Sequence, residues 1–96
     1  MLPGERPNEG SLSLGESVLE QILRGNSDAN VRFSDLRGLL LRLGFAERIK
    51  GDHHIFIREG VAEILNLQPR KSMAKPYQVK QVRKVLVQYK LGETAE

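Results

Sequence analysis

Residues 45–68, Phe45-Ala46-Glu47-Arg48-Ile49-Lys50-Gly51-Asp52-His53-His54-Ile55-Phe56-Ile57-Arg58-Glu59-Gly60-Val61-Ala62-Glu63-Ile64-Leu65-Asn66-Leu67-Gln68, decide the fold of this chain. They divide into three short runs, Phe45–Lys50, His53–Arg58 and Val61–Gln68, separated by Gly51-Asp52 and Glu59-Gly60. Runs of this length, rich in β-branched and aromatic residues and parted by dipeptides of turn type, predict three antiparallel strands joined by two hairpins. Gly-Asp suits a two-residue primed turn, because glycine takes up positive φ without steric cost; Glu-Gly is a weaker signal of the same kind.

Register then follows by counting, and register decides which side chains share a face. With two-residue loops Lys50 lies opposite His53, and Ile49 opposite His54. On the second hairpin His53 pairs with Asn66 and His54 with Leu65. One face collects Phe45, Ile49, His54, Phe56, Val61, Leu65 and Leu67, a surface for amphipathic helices to cover. The other collects Arg48, Lys50, His53, Asn66 and Gln68 at one end and Ile55, Ile57 and Ile64 at the other.

Outside the strands the apolar period lengthens to that of a helix. Leu36, Leu39, Leu40 and Leu43 form one stripe, with Ser34 as the expected cap and Gly44 as a left-handed stop that lets Phe45 fold back onto Leu40. Further upstream Val18, Leu19, Ile22 and Leu23 predict a short helix ended by Gly25, with 26–32 as a connecting loop. Downstream, Pro76 suits a first helical position, and Val79, Val82, Leu86 and Tyr89 line one face as far as Gly92. The fold class expected is α+β: a three-stranded antiparallel sheet covered by helices in the order α-β-β-β-α, with an extra N-terminal helix. Residues 1–14, with two prolines and two glycines, read as a disordered leader, 15–92 as a single domain, and 93–96 as a disordered tail.

Ninety-six residues support one core. Cysteine is absent, which removes disulfides, thiolate metal sites and a cysteine nucleophile. No run of eighteen apolar residues is present and the first residues lack the pattern of a signal peptide, so the expectation is a cytoplasmic protein with no membrane partner. The net charge of +3 is unevenly spread: residues 1–35 carry six acids against three bases, whereas 36–96 carry twelve bases against six acids. From Ile64 to Gly92 there is no acid, only Arg70, Lys71, Lys75, Lys80, Arg83, Lys84 and Lys90. Such a stretch attracts polyanions by long-range steering and counterion release, which makes nucleic acid the leading partner class beside the plainer reading of a solvated basic face.

The counted register separates the two histidines. His54 falls among apolar neighbours and reads as a packing residue with one satisfied nitrogen. His53 begins its strand on the open face beside Lys50 and Asn66, where an imidazole titrating near neutrality can move a proton and neighbouring cations can hold a phosphate. Adjacent strand residues point to opposite faces, so the pair is a poor metal site, and no cofactor is expected.

Taken in order, Leu36, Leu39-Leu40, Leu43-Gly44-Phe45, Gly51-Asp52-His53-His54-Ile55-Phe56, Asn66-Leu67-Gln68-Pro69 and Ala74-Lys75-Pro76-Tyr77-Gln78-Val79-Lys80-Gln81-Val82-Arg83 resemble the HicA toxins of bacterial type II toxin–antitoxin systems. The resemblance covers roughly residues 16–92. It implies a fold like the double-stranded RNA-binding domain, metal-independent mRNA interferase activity through the one histidine that here is His53, and a HicB-like antitoxin covering the active surface. Asp52 departs from the serine or threonine usual in the family and puts a negative charge near an expected phosphate; it could attenuate activity, hold the turn or orient the imidazole. The helix before Ser34 is an addition to the minimal family pattern.

RNA is thus the expected substrate, with a ribose 2′-hydroxyl attacking the neighbouring phosphate, His53 transferring the proton, and Arg48 and Lys50 stabilising the charge that develops. Lys71 and Lys75, at the start of the last helix, resemble the lysines that double-stranded RNA-binding domains aim at phosphates. Tyr77 could stack a base or cover the core. Ile55, Ile57 and Ile64 form an antitoxin-type partner surface if they are uncovered; the alternative is that they pack beneath the helix of Val18 to Leu23. A non-catalytic RNA-binding module and a purely partner-binding protein are the rival functions.

Overall fold

The computed structural model describes residues 17–94, so the leader at 1–14 lies outside the described residues, as does the end of the tail. The elements are α1 (Val18–Arg24), a single 3-10 turn (Asp28–Asn30), α2 (Phe33–Arg42), β1 (Ala46–Lys50), β2 (His53–Arg58), β3 (Val61–Leu67), α3 (Pro76–Gln88) and a short α4 (Leu91–Thr94). The three strands form one antiparallel sheet with β2 in the centre. The chain is therefore α+β, as the hairpin pattern predicts.

Each helix end has a local cause. In α1 the Ser17 hydroxyl accepts from the Glu20 amide and the Glu20 carboxylate accepts from the Ser17 amide, a reciprocal capping box, and Gly25 closes the helix at φ 78°. The expected cap at Ser34 is not used. Arg32 takes the cap position, Ser34 lies inside the first turn of α2, and the Phe33 amide donates instead to the Ser72 carbonyl at 3.0 Å. Backbone from the loop before α3 thus satisfies the first amide of the helix. At the other end Gly44 has φ 95°, with Gly44 N–H donating to Leu41 and Phe45 N–H to Leu40, a Schellman motif that turns Phe45 into the core. Arg58 adds a hydrogen bond from Nε to the Leu43 carbonyl at 2.8 Å.

The first hairpin has the counted register, Lys50 opposite His53 and Ile49 opposite His54. The second does not. Arg58 pairs with Val61, but Phe56 pairs with Leu65, Ile55 with Asn66 and His54 with Leu67, so two residues of β2 are matched by four of β3. The Glu59-Gly60 turn has positive φ only at its second residue, Gly60, which is not the pattern of a primed hairpin turn, and the strands reach their pairing through a bulge instead. Tyr89 from the end of α3 braces that bulge. Its hydroxyl accepts from the Ala62 amide at 3.2 Å and donates to Glu63 at 2.7 Å. The offset of two is even, so every side chain keeps the face that counting assigned to it.

One core joins Leu36, Leu39 and Leu40 of α2, Phe56, Leu65 and Leu67 of the sheet, and Val79, Val82 and Leu86 of α3. Ile22 inserts α1 into this core from the side of α2 and α3, so α1 does not cover the opposite sheet face. Arg83 holds that arrangement by reaching Asp28 at 2.8 and 3.1 Å and the Ile22 carbonyl at 3.1 Å. It belongs to the acid-free basic stretch but is committed to structure. Gln78, the one buried polar side chain of α3, accepts from the Gln68 amide and ties the end of β3 to the helix. Beyond α3, Lys90 turns at φ 55° and Leu91–Thr94 add a helical turn, whose last two residues fall in the expected tail of 93–96. No described helix is long and apolar enough to cross a membrane.

Candidate nucleic-acid site on the open sheet face

His53 stands exposed at the start of β2 on the open face, with Lys50 directly across the hairpin. Its Nδ1 lies 3.0 Å from Asn66 Oδ1, a diagonal contact that the bulge allows although the two residues are not cross-strand partners. An amide oxygen accepts, so Nδ1 donates in this contact and Nε2 is the ring nitrogen without a protein partner among the described residues. The contact expected between His53 and Asn66 is therefore present as a side-chain hydrogen bond, and the expected backbone pairing is not.

Asp52 does not orient the imidazole. Its carboxylate accepts from Gln68 Nε2 at 2.9 Å, and Gln68 Oε1 in turn accepts from Lys75 at 3.4 Å. The hydrogen bond from Gln68 is the main reason the Asp52 carboxyl is held below its usual range, with smaller contributions from its own backbone, His53 and Lys75. The acid is thus tied to Gln68, just past β3, rather than to the imidazole. Lys50 and Arg48 make no side-chain hydrogen bond among the described residues, which leaves both cations available on this face.

The expected substrate-binding residues do not form one group. Arg48, Lys50 and Lys75 lie on the His53 side, through the sheet face or through Gln68 and Asp52. Lys71 has no hydrogen-bonded link to His53; it shares one cleft with Lys75 and lines a second beside His54. Tyr77 is 63 % exposed, so the expectation that it covers the core is not met; it forms one wall of a cleft with Arg70, Lys71 and Lys75. Ile57 and Ile64 are 51 % and 62 % exposed, and with Ile55, Arg48 and Ala46 they line a shallow hollow of about 370 Å³ that no described helix covers. Packing beneath α1 is thereby corrected in favour of an open apolar patch.

None of the family models, curated proteins or solved structures compared with the chain matches it. The chemistry therefore has to be read from the geometry.

On the covered face the other histidine has a partner that the sequence did not signal. His54 Nδ1 lies 2.7 Å from Glu47 Oε2, and Arg37 Nε donates to both Glu47 oxygens at 2.8 Å. The ring stands edge-on to Phe33, with centroids 4.8 Å apart. His54 is thus a packed residue with one satisfied nitrogen, as expected. Glu47 sits in its strand between Ala46 and Arg48 with no local motif around it, so nothing short of the sheet register would have paired it with His54. Ile49, expected beneath the helices, shares this face but sits beyond their edge and is 55 % exposed. Among the described residues no group of three or more histidine, aspartate or glutamate side chains could hold a metal ion.

Glu47 and Asp28 make stability depend on acidity. Arg37 is the main cause that lowers the Glu47 carboxyl, and Arg83 the main cause that lowers Asp28. A carboxyl lowered in the folded state stabilises fully above its unfolded value of about 4, and that contribution disappears as the pH falls through the folded value. Thermal melts at about pH 5 and about pH 3 are expected to show a fall in melting temperature that the Asp28→Asn/Glu47→Gln double variant largely lacks. An equally steep fall in that variant would place the acid sensitivity elsewhere.

Proposed function

We propose that this chain is a metal-independent endoribonuclease, an mRNA interferase acting as the toxin of a type II toxin–antitoxin pair on a fold like the double-stranded RNA-binding domain. The observation that carries the reading is the placement of His53: exposed, fixed through Nδ1 by Asn66, and faced by Lys50 on an open basic sheet surface. Its unpartnered Nε2 takes the proton of a ribose 2′-hydroxyl as that oxygen bonds to the adjacent phosphorus. The bond from phosphorus to the 5′-oxygen breaks, and the departing oxygen takes up a proton. Products are a 2′,3′-cyclic phosphate and a 5′-hydroxyl. Lys50 and Arg48 supply positive charge for the pentacoordinate transition state, where preorganised donors are worth most. With one proton-transfer group on this face, turnover is expected to be slow.

The deciding experiment incubates the purified chain with labelled single-stranded RNA in excess chelator, alongside the same sequence with 2′-O-methyl riboses. Cutting of the first with cyclic-phosphate ends, and none of the second, supports the reading. RNA that is bound but never cut moves the function to an RNA-binding module.

A HicB-like antitoxin is the proposed partner, supported by the uncovered Ile55, Ile57 and Ile64 beside Arg48. Since Ile57 is half exposed, Ile57→Asp is expected to leave the melting temperature nearly unchanged while weakening capture of such a partner by tenfold or more, about 1.4 kcal/mol. Unchanged affinity in a titration with the antitoxin would remove the patch from the interface.

A further inference from the structure

We infer that the cleft beside His54, on the opposite side of the sheet from His53, is a second phosphate-binding site, so that a bound RNA is gripped at a point distinct from the one where it is cut. The inference rests on the ribonuclease reading for its ligand and on the following geometry for its place.

The cleft, of about 420 Å³, is lined by Arg32, Ser34, Arg37, His54, Lys71 and Ser72, with Phe33, Ile49 and Pro69 as its apolar walls. Its polar groups are donors with little else to bind. Arg37 uses only Nε on Glu47, leaving both terminal nitrogens without a partner among the described residues. The side chains of Arg32, Ser34, Lys71 and Ser72 form no hydrogen bond there. The acid that contacts Arg37 and His54 is already satisfied, because Glu47 accepts from Arg37 on both oxygens and from His54 on one. A carboxylate can only accept, so His54 donates to Glu47 through Nδ1, and the ring lines the cleft with no other hydrogen bond among the described residues.

The second observation is backbone strain. Lys71 and Ser72 occupy positive φ, 50° and 69°, in a two-residue turn closed by paired hydrogen bonds of 2.9 Å between Arg70 and Met73. Asparagine and glycine are the usual occupants of such a turn, and other residues pay a steric cost there. The turn is also docked, by Ser72 carbonyl to Phe33 amide and Ala74 amide to the Val31 carbonyl. Residues that carry an ammonium and a hydroxyl, rather than those the turn would prefer, are thus held rigidly against the cleft. Strain kept in place by surrounding contacts is where a binding role is to be sought.

The ligand class is a phosphate group, from an internal phosphodiester or from a 5′-terminal monoester. Arg32→Ala/Lys71→Ala is the informative variant, because both side chains are exposed and support nothing else. Inorganic phosphate is titrated first while the ring signals of both histidines are followed by NMR. His54 signals that shift in the native chain, and fail to shift in the variant, are the expected result. Next, a short 2′-O-methyl RNA, which cannot be cut, is measured with a 5′-hydroxyl and with a 5′-phosphate over a range of salt. A salt slope reduced by about one per removed cation for both RNAs assigns the cleft to the backbone. A gain of about tenfold from the 5′-phosphate that the variant abolishes assigns it to the terminus. His54 signals indifferent to phosphate, or a variant with unchanged affinity and slope, would overturn the inference. Uncuttable RNA makes this test independent of catalysis: a chain that binds phosphate at His54 yet never cuts RNA keeps the site and loses the ribonuclease reading.

Discussion

Replacing His53 by alanine is expected to lower single-turnover cleavage of labelled RNA by about 10²–10⁴-fold, the contribution of one positioned proton-transfer group. The loss should come without unfolding. His53 is exposed and its one hydrogen bond runs to another surface side chain, Asn66, so the variant should melt within a degree or two of the native chain, the equivalent of less than about 0.5 kcal/mol. Asn66→Ala should act in the same direction and more weakly, since it frees the ring to rotate without removing it. Lys50→Ala should reduce the rate while leaving its pH profile in place. A His53→Ala chain that cuts at the native rate would move the chemistry off this face.

The second large effect is structural. Phe56 lies at the middle of the central strand, fully buried, paired with Glu47 on one side and Leu65 on the other. It belongs to the same core as the apolar stripes of α2 and α3. Phe56→Ala removes most of a ring from a site where rigid neighbours cannot close the gap, and a cost of about 3–5 kcal/mol is expected. Small domains have about 5–15 kcal/mol in total, so the variant should be only marginally folded at room temperature. Urea titration followed by circular dichroism checks this, with Phe56→Leu expected to lose distinctly less. A loss below about 1 kcal/mol would contradict the burial of Phe56 beneath the helices.

The strands, both strand faces and the prominence of His53 were legible in the alternation of residues 45–68, because a face depends only on odd and even position. The pairing along the second hairpin was not legible. It is set by the Glu59-Gly60 turn together with Tyr89, which reaches Ala62 and Glu63 from more than twenty-five residues away. Counting survived at the level of faces only because the bulge inserts an even number of residues. The start of α2 was misread for a related reason: Ser34 is a plausible cap by type, but the carbonyl of Ser72 satisfies Phe33, and such a partner is chosen by tertiary docking. The same applies to Glu47. Its position in a basic strand reads as an ordinary exposed acid until the sheet brings it to His54 and α2 brings Arg37. Gln78 left one trace, a polar residue beside the apolar stripe of α3, and buried amides in such places are where a search for tertiary ties would begin.

The brace from Tyr89 to the bulge has a consequence for recognition at a distance. Ile57 and Ile64 lie within the irregular stretch of the second hairpin, so the contour of the hydrophobic patch is shaped partly by a hydroxyl rooted at the end of α3. Tyr89→Phe would touch no docking protein, yet it would release the Ala62 amide and let the hairpin relax. Affinity at one surface of this small chain is in that sense an indirect gauge of how well its carboxyl-terminal segment is seated.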